Sequence, residues 1–192
     1  MKAISSARFM VCILIVATPD SARTEMSRPA RDAAWSTRCT ALASDDLSSI
    51  SDAPTQIIAA NPVEATDKVP VHCQVKGYVA PQVGFRLGLP PIDRWNHKFF
   101  EVGCGGDCGD TGHFEMPRAC GVPLQRGYAC IAFDGGHIGG GGLWAVNNIQ
   151  AQIDFGYRGA HVTALAGKAI TERYYDRPPT SCIYPQILMQ GH

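Results

Sequence analysis

Apolar residues follow three different periods along this chain, and each predicts a different kind of element. From 71 to 79, Val71, Cys73, Val75 and Gly77 alternate with His72, Gln74 and Lys76, the pattern of a half-buried strand. Pro81 interrupts it, and from 83 to 89 Val83, Phe85, Leu87 and Leu89 alternate with Gly84, Arg86 and Gly88. Two adjacent alternating strands predict an antiparallel meander with one wet face. Residues 98–102 and 128–133 are instead near-continuous apolar runs, as in strands covered on both faces, with a short helix ending over 123–126 between them. Beyond the glycine run 139–142, Phe155, Val162, Leu165, Ala166, Ala169, Ile170 and Tyr174 form a stripe of helical period. It predicts one strong helix, which Pro178-Pro179 ends. Ile187-Leu188-Met189 predicts a last strand. Antiparallel strands followed by strand, helix and strand predict an α/β fold, with antiparallel N-terminal strands leading into a mostly parallel sheet flanked by helices.

The N-terminal part has a different character. Lys2 and Arg8 precede the apolar run from Phe9 to Ala17, and small residues follow up to Ala22, so residues 1–22 are expected to be a secretory signal peptide. Residues 23–38 carry no periodicity and are expected to be an irregular tail. Cys39-Thr40-Ala41-Leu42-Ala43 predicts a single helical turn. Pro54, Asn61-Pro62 and Pro70 then mark a loop-like region with one apolar patch, Ile57-Ile58.

Composition narrows the partners. Apolar residues make up 45% of the 192 residues and charged residues 18%, a globular balance. Seventeen basic and 17 acidic side chains cancel, without the basic stripe that a nucleic-acid partner requires. No apolar run reaches the roughly 18 residues needed to span a bilayer, so no membrane partner is expected. Eight cysteines fit an oxidising compartment. If Cys12 leaves with a signal peptide, Cys39, Cys73, Cys104, Cys108, Cys120, Cys130 and Cys182 remain, six to pair and one left over. The Cys104–Cys108 spacing lacks the second pair of ligands that a zinc site needs, so no metal and no cofactor are expected.

Three motifs carry candidate chemistry. Gly103-Cys104-Gly105-Gly106 follows a buried strand, and bare glycine backbone there suits an oxyanion, because its N–H groups point at a developing charge with no side chain intervening. Asp134-Gly135-Gly136-His137 brings an acid and an imidazole close in sequence, but triad members come from distant loops, so both are read as scaffolding of a turn. No spacing rule supports a metal held between His113 and His137. Asp154-Phe155-Gly156-Tyr157-Arg158 leads into the long helix, with Asp154 expected to cap its N-terminus and Arg158 and His161 expected to be structural.

Taken together, W-N-H-K-F-F-E-V-G-C-G-G-D-C-G, L-Q-R-G-Y-A-C-I-A-F-D-G-G-H and D-F-G-Y-R-G-A-H-V-T-A-L-A-G-K-A-I-T-E-R-Y-Y resemble the tannase/feruloyl esterase family over about residues 39–177. The resemblance implies an α/β-hydrolase fold and a secreted serine carboxylic ester hydrolase. Phenolic esters would be its substrates, cleaved by a Ser-His-Asp acyl-enzyme mechanism. It implies that Gly105 and Gly106 are the oxyanion loop and that Cys39 and Cys73 are an N-terminal disulfide pair. It leaves the pairing of Cys104, Cys108, Cys120 and Cys130 open.

The chain departs from the family pattern after Arg177. It has no G-x-S-x-G motif, and Pro179 to Pro185 match nothing expected there. Residues 39–192 are therefore expected to be the N-terminal part of an α/β-hydrolase domain, without the nucleophile, the later Asp and His, or the family's lid, which often holds calcium. Such a chain is expected to be inactive alone; the alternative is a secreted non-catalytic binding module on the same sheet.

Overall fold

The computed structural model describes residues 28–103, 105–107 and 109–184. The expected signal peptide, Cys104, Cys108 and the strand expected at 187–189 lie outside the described residues. Six strands form one sheet: β1 (Thr55–Val63), β2 (His72–Val79), β3 (Val83–Leu89), β4 (Lys98–Gly103), β5 (Ala129–Phe133) and β6 (Ser181–Ile183). Their order is β1-β2-β3-β5-β4-β6. The pairs β1–β2, β2–β3 and β3–β5 are antiparallel, whereas β5–β4 and β4–β6 are parallel. This is the α/β arrangement expected, with an antiparallel edge leading into parallel strands.

Strand β5 explains why its sequence reads as a continuous apolar run. All five residues are buried, Ile131 and Phe133 in one core and Cys130 and Ala132 in another on the opposite face. The first core is roofed by α1 (Arg28–Ala41) and α4 (Gly159–Tyr175), through Cys39, Val162, Ala166, Ile170 and Tyr174. The second is closed by the connector between β4 and β5, where Phe114, Ala119 and Leu124 pack on Val102. That connector ends in the short helix α2 (Val122–Gln125). Burying side chains such as Ile170 or Phe99 contributes about 1.5–3 kcal/mol each.

Four expectations are corrected. Residues 28–38 are helical rather than irregular, because Trp35, Cys39 and Leu42, at spacings of four and three, all face the core. The loop expected around Ile57-Ile58 is strand β1. Its prolines are tolerated because β1 is an edge strand, so Pro62 withholds no N–H from an inner ladder. The long helix begins earlier than expected, with α3 (Ile149–Ile153) capped by the Asn148 side chain, which accepts from Ala151 N at 3.1 Å. Asp154 does not cap the N-terminus of α4: it ends α3 and opens a π-helical turn over Asp154–Arg158 that joins α3 to α4. That turn moves Phe155 off the buried stripe, leaving it 37% exposed.

Two disulfides fasten the frame. Cys39–Cys73 ties α1 to β2, and Cys120–Cys130 ties the connector to β5. Cys182 is free and exposed on β6.

Candidate functional site

Strands β4 and β5 run parallel and both end at the same edge of the sheet, where their loops meet. In open α/β sheets that carboxyl edge is where ligands bind. Strand β4 ends at Gly103, leading into Gly105 and Gly106. Gly106 has φ +67°, a left-handed conformation that favours glycine. Among the described residues, flanking ones aside, no heavy atom lies within 4 Å of the place where a side chain on Gly105 or Gly106 would begin, so this backbone borders open space there.

The loop after β5 buttresses the loop after β4. Gly139 N donates to Gly109 O at 3.1 Å, and Gly141 N donates to the Asp107 carboxylate at 2.6 Å. A side chain on Gly109 would begin 2.5 Å from His137 Nδ1, so the two loops are in direct contact. His137 is 6% exposed, with its Nδ1 2.9 Å from Gly139 O. Its ring stacks on Trp144, with centroids 3.7 Å apart and planes within 8°. Phe155 closes the cluster, with its centroid 4.9 Å from Trp144 and 5.5 Å from His137.

Asp134 and His137 have separate structural partners. Both carboxylate oxygens of Asp134 accept from Gly84 N at 3.0 Å, and one accepts from Gly136 N at 2.8 Å. Asp134 thus pins the turn after β5 to the start of β3. Burial pushes its carboxyl up to about 6 against the pull of these donors, and the charge of Asp154 adds to the rise. Asp154 is held by Arg158 at 2.7 Å and Gln150 at 3.0 Å. Arg158 also donates to Ala80 O at 2.6 Å, a bond between the helix lead-in and a neighbouring loop.

Two residues beside this edge escaped sequence reasoning. Glu101 interrupts the apolar run of β4 yet is only 4% exposed, and its Oε1 has no hydrogen-bond partner among the described residues. Burial pushes its carboxyl up to about 8, with the Lys168 ammonium pulling the other way. A single acid inside a buried strand was the available signal. Trp144 was the other, an aromatic residue two positions after the glycine run 139–142. Among the described residues no group of three or more His, Cys, Asp or Glu side chains could hold a metal ion.

The family model for tannase and feruloyl esterase matches residues 67–186. The chain belongs to that family. Curated relatives are similar as well. Over 135 residues the chain is 33% identical to the mono(2-hydroxyethyl) terephthalate hydrolase of Piscinibacter sakaiensis, covering 57% of this chain and 21% of the relative. Over 78 residues it is 36% identical to a probable feruloyl esterase B-1 of Neosartorya fischeri, covering 41% and 14%. The chain thus spans about a fifth or less of these relatives' length. Two solved structures share the fold. An esterase from Aspergillus oryzae superposes with TM-score 0.66 at 18% identity, over 78% of this chain and 32% of that one. Feruloyl esterase B from Aspergillus oryzae gives 0.64 at 17%, over 78% and 31%.

Proposed function

We propose that this chain supplies the oxyanion side of a secreted serine carboxylic ester hydrolase acting on phenolic esters. The observation that carries the reading is the bare backbone at Gly105 and Gly106, at the carboxyl edge of two parallel strands and buttressed from behind by the 135–142 loop. An oxyanion needs fixed donors with no side chain in the way, and a buttressed glycine loop provides them without reorganisation. Loops of this kind after a central strand supply one donor in lipases and esterases. Hydrolysis by relatives named as feruloyl esterases and as a terephthalate ester hydrolase supports the substrate class. The two disulfides and the apolar N-terminal run support export.

The 192 residues contain no G-x-S-x-G motif, so their own contribution is binding and charge stabilisation. Loss of a complete triad costs on the order of 10⁶ in rate. The chain alone is therefore expected to leave methyl ferulate intact. The decisive experiment is a chimera in which this chain replaces the matching 31% of Aspergillus oryzae feruloyl esterase B. Hydrolysis of methyl ferulate that falls on Gly106→Val supports the reading; a folded chimera whose rate ignores residues 105 and 106 refutes it. A chain that binds phenolic esters while the folded chimera never hydrolyses them would favour the non-catalytic binding module.

A further inference from the structure

Four segments meet at the amino edge of the parallel strands, the edge opposite the glycine loop. Pro70 precedes β2, Pro90-Pro91 follows β3, Arg94 precedes β4, and residues 124–127 precede β5. Because β3 runs antiparallel to both β2 and β5, the end of β3 and the starts of the other three strands fall together. These segments line a cavity of about 320 Å³.

Its wall combines two kinds of group. Pro70, Pro90, Pro91 and Leu124 make it apolar, whereas Arg94 and Arg126 bring charge. No Asp or Glu lines it, in a chain whose 17 basic and 17 acidic side chains cancel overall. Both arginines are exposed, and neither guanidinium has an acidic or hydrogen-bonding partner among the described residues.

The segments that carry the two arginines are tied to each other. The Asn96 side chain donates to Arg126 O at 2.7 Å, and Asn96 N donates to Gly127 O at 2.9 Å. Arg94 N donates to Pro91 O at 2.9 Å, and His72 Nδ1 lies 2.7 Å from Pro70 O. Gly127 has φ +81°, and the Arg94 carbonyl packs where a side chain on it would stand. A ligand therefore finds both backbones already ordered, which removes one cost of binding.

This combination selects a ligand class. Guanidinium forks match the oxygens of carboxylate and phosphate. A free phosphate would use the cations and leave the apolar wall wet, whereas a neutral apolar molecule would leave both cations without an anion. An acid with an apolar body uses both. Mostly apolar walls with a few polar groups are the usual make-up of a small-molecule site. We propose that this cavity binds a small amphipathic carboxylate, its head between Arg94 and Arg126 and its body against Pro70, Pro90, Pro91 and Leu124. The site lies apart from Gly105 and Gly106, and its ligand leaves that loop free.

The test uses the intact 192-residue chain labelled with nitrogen-15. Hexanoate, hexan-1-ol and inorganic phosphate are titrated while backbone amide shifts are followed by NMR. Hexanoate is expected to bind about fivefold or more tightly than either other ligand, the scale of two exposed ion pairs. The largest shifts should fall at Arg94, Arg126 and Gly127. Arg94→Gln and Arg126→Gln should each weaken hexanoate about twofold or more, and the double variant should bind it no better than hexan-1-ol. Arg173→Gln, on α4 and outside the cavity wall, should change nothing. Arg94→Lys and Arg126→Lys keep the charge without the fork and should fall between parent and Gln variants, which carries the test if a Gln variant does not fold. Phosphate or hexan-1-ol binding as tightly as hexanoate overturns the proposal. So does an affinity unchanged in both Gln variants, a set of largest shifts at 105–106 and 135–142, or no binding of hexanoate.

Discussion

Arg158 reaches the Asp154 carboxylate at 2.7 Å across one turn of helix, and the Asp154 side chain is wholly buried. The same guanidinium donates to the Ala80 carbonyl in the turn between β2 and β3, so one side chain joins the π-helical turn to the antiparallel edge of the sheet. Arg158→Met would leave a buried carboxylate without its cation, and breaking such a pair from one side costs about 3–5 kcal/mol. Asp154→Asn removes the charge as well as the pair and is expected to cost less. Urea denaturation of the two variants checks the order; an Arg158→Met variant as stable as Asp154→Asn would contradict it.

The pH dependence of stability follows from two carboxyl groups raised by burial. Glu101 moves from 4.5 to about 8, and Asp134 from 3.8 to about 6. A raised acid holds its proton more tightly in the folded chain, so folding loses stability as pH rises from the unfolded value to the folded one. Asp134 acts between pH 3.8 and about 6, and Glu101 between 4.5 and about 8. Each group costs up to about 1.4 kcal/mol per pH unit within its window. The melting temperature is therefore expected to be higher near pH 5 than near pH 8.5. Glu101→Gln should flatten the upper part of that slope and raise stability at pH 8.5. A slope unchanged in Glu101→Gln would show that another group carries it.

The two disulfides are expected to contribute unequally. Cys39–Cys73 spans 34 residues and Cys120–Cys130 spans 10. The longer loop restricts the unfolded chain more, so the first bridge is worth about 3–4 kcal/mol and the second about 1 kcal/mol less. Replacing both cysteines of one bridge with alanine and comparing denaturation midpoints measures the difference. Loss of the first should also free α1, seen as faster proteolysis near Trp35.

How far the sequence could be read depended on how many residues each element commits to one face. Strands β2 to β5 were legible because their alternating or continuous apolar runs are dictated by burial on one or both faces. Helix α1 escaped because, among its described side chains, Trp35 and Cys39 mark its buried side, with Leu42 just past its end, among alanines and polar residues. Phe155 was misplaced because the spacing from Phe155 to Val162 was read as unbroken α-helix. A π-helical turn takes more residues per turn and shifts the phase of everything before it. At the site, Gly105 and Gly106 stood out by position after a buried strand. The His137–Trp144 stack did not, since two loop residues meet without any period to announce them.

Gly105 and Gly167 give the same substitution opposite outcomes. A methyl on Gly167 would sit 2.6 Å from the Phe99 ring and 3.0 Å from Ile131, where α4 lies flush on the sheet. Neither neighbour can yield: both are buried, Phe99 beneath α4 and Ile131 in the central strand. Gly167→Ala should therefore destabilise by about 1–3 kcal/mol, the cost of overpacking. Phe99→Leu should recover part of it by vacating that space. Gly105 borders open space, so Gly105→Ala should leave the melting curve within about 0.5 kcal/mol of the parent. If Gly105 belongs to the proposed oxyanion loop, the same methyl in the chimera would intrude on the oxyanion, and turnover is expected to fall about tenfold or more, the scale of one weakened oxyanion donor. Thermal melts paired with chimera kinetics separate the two glycines: stability should fall at 167 and turnover at 105, and the reverse pattern would contradict both placements.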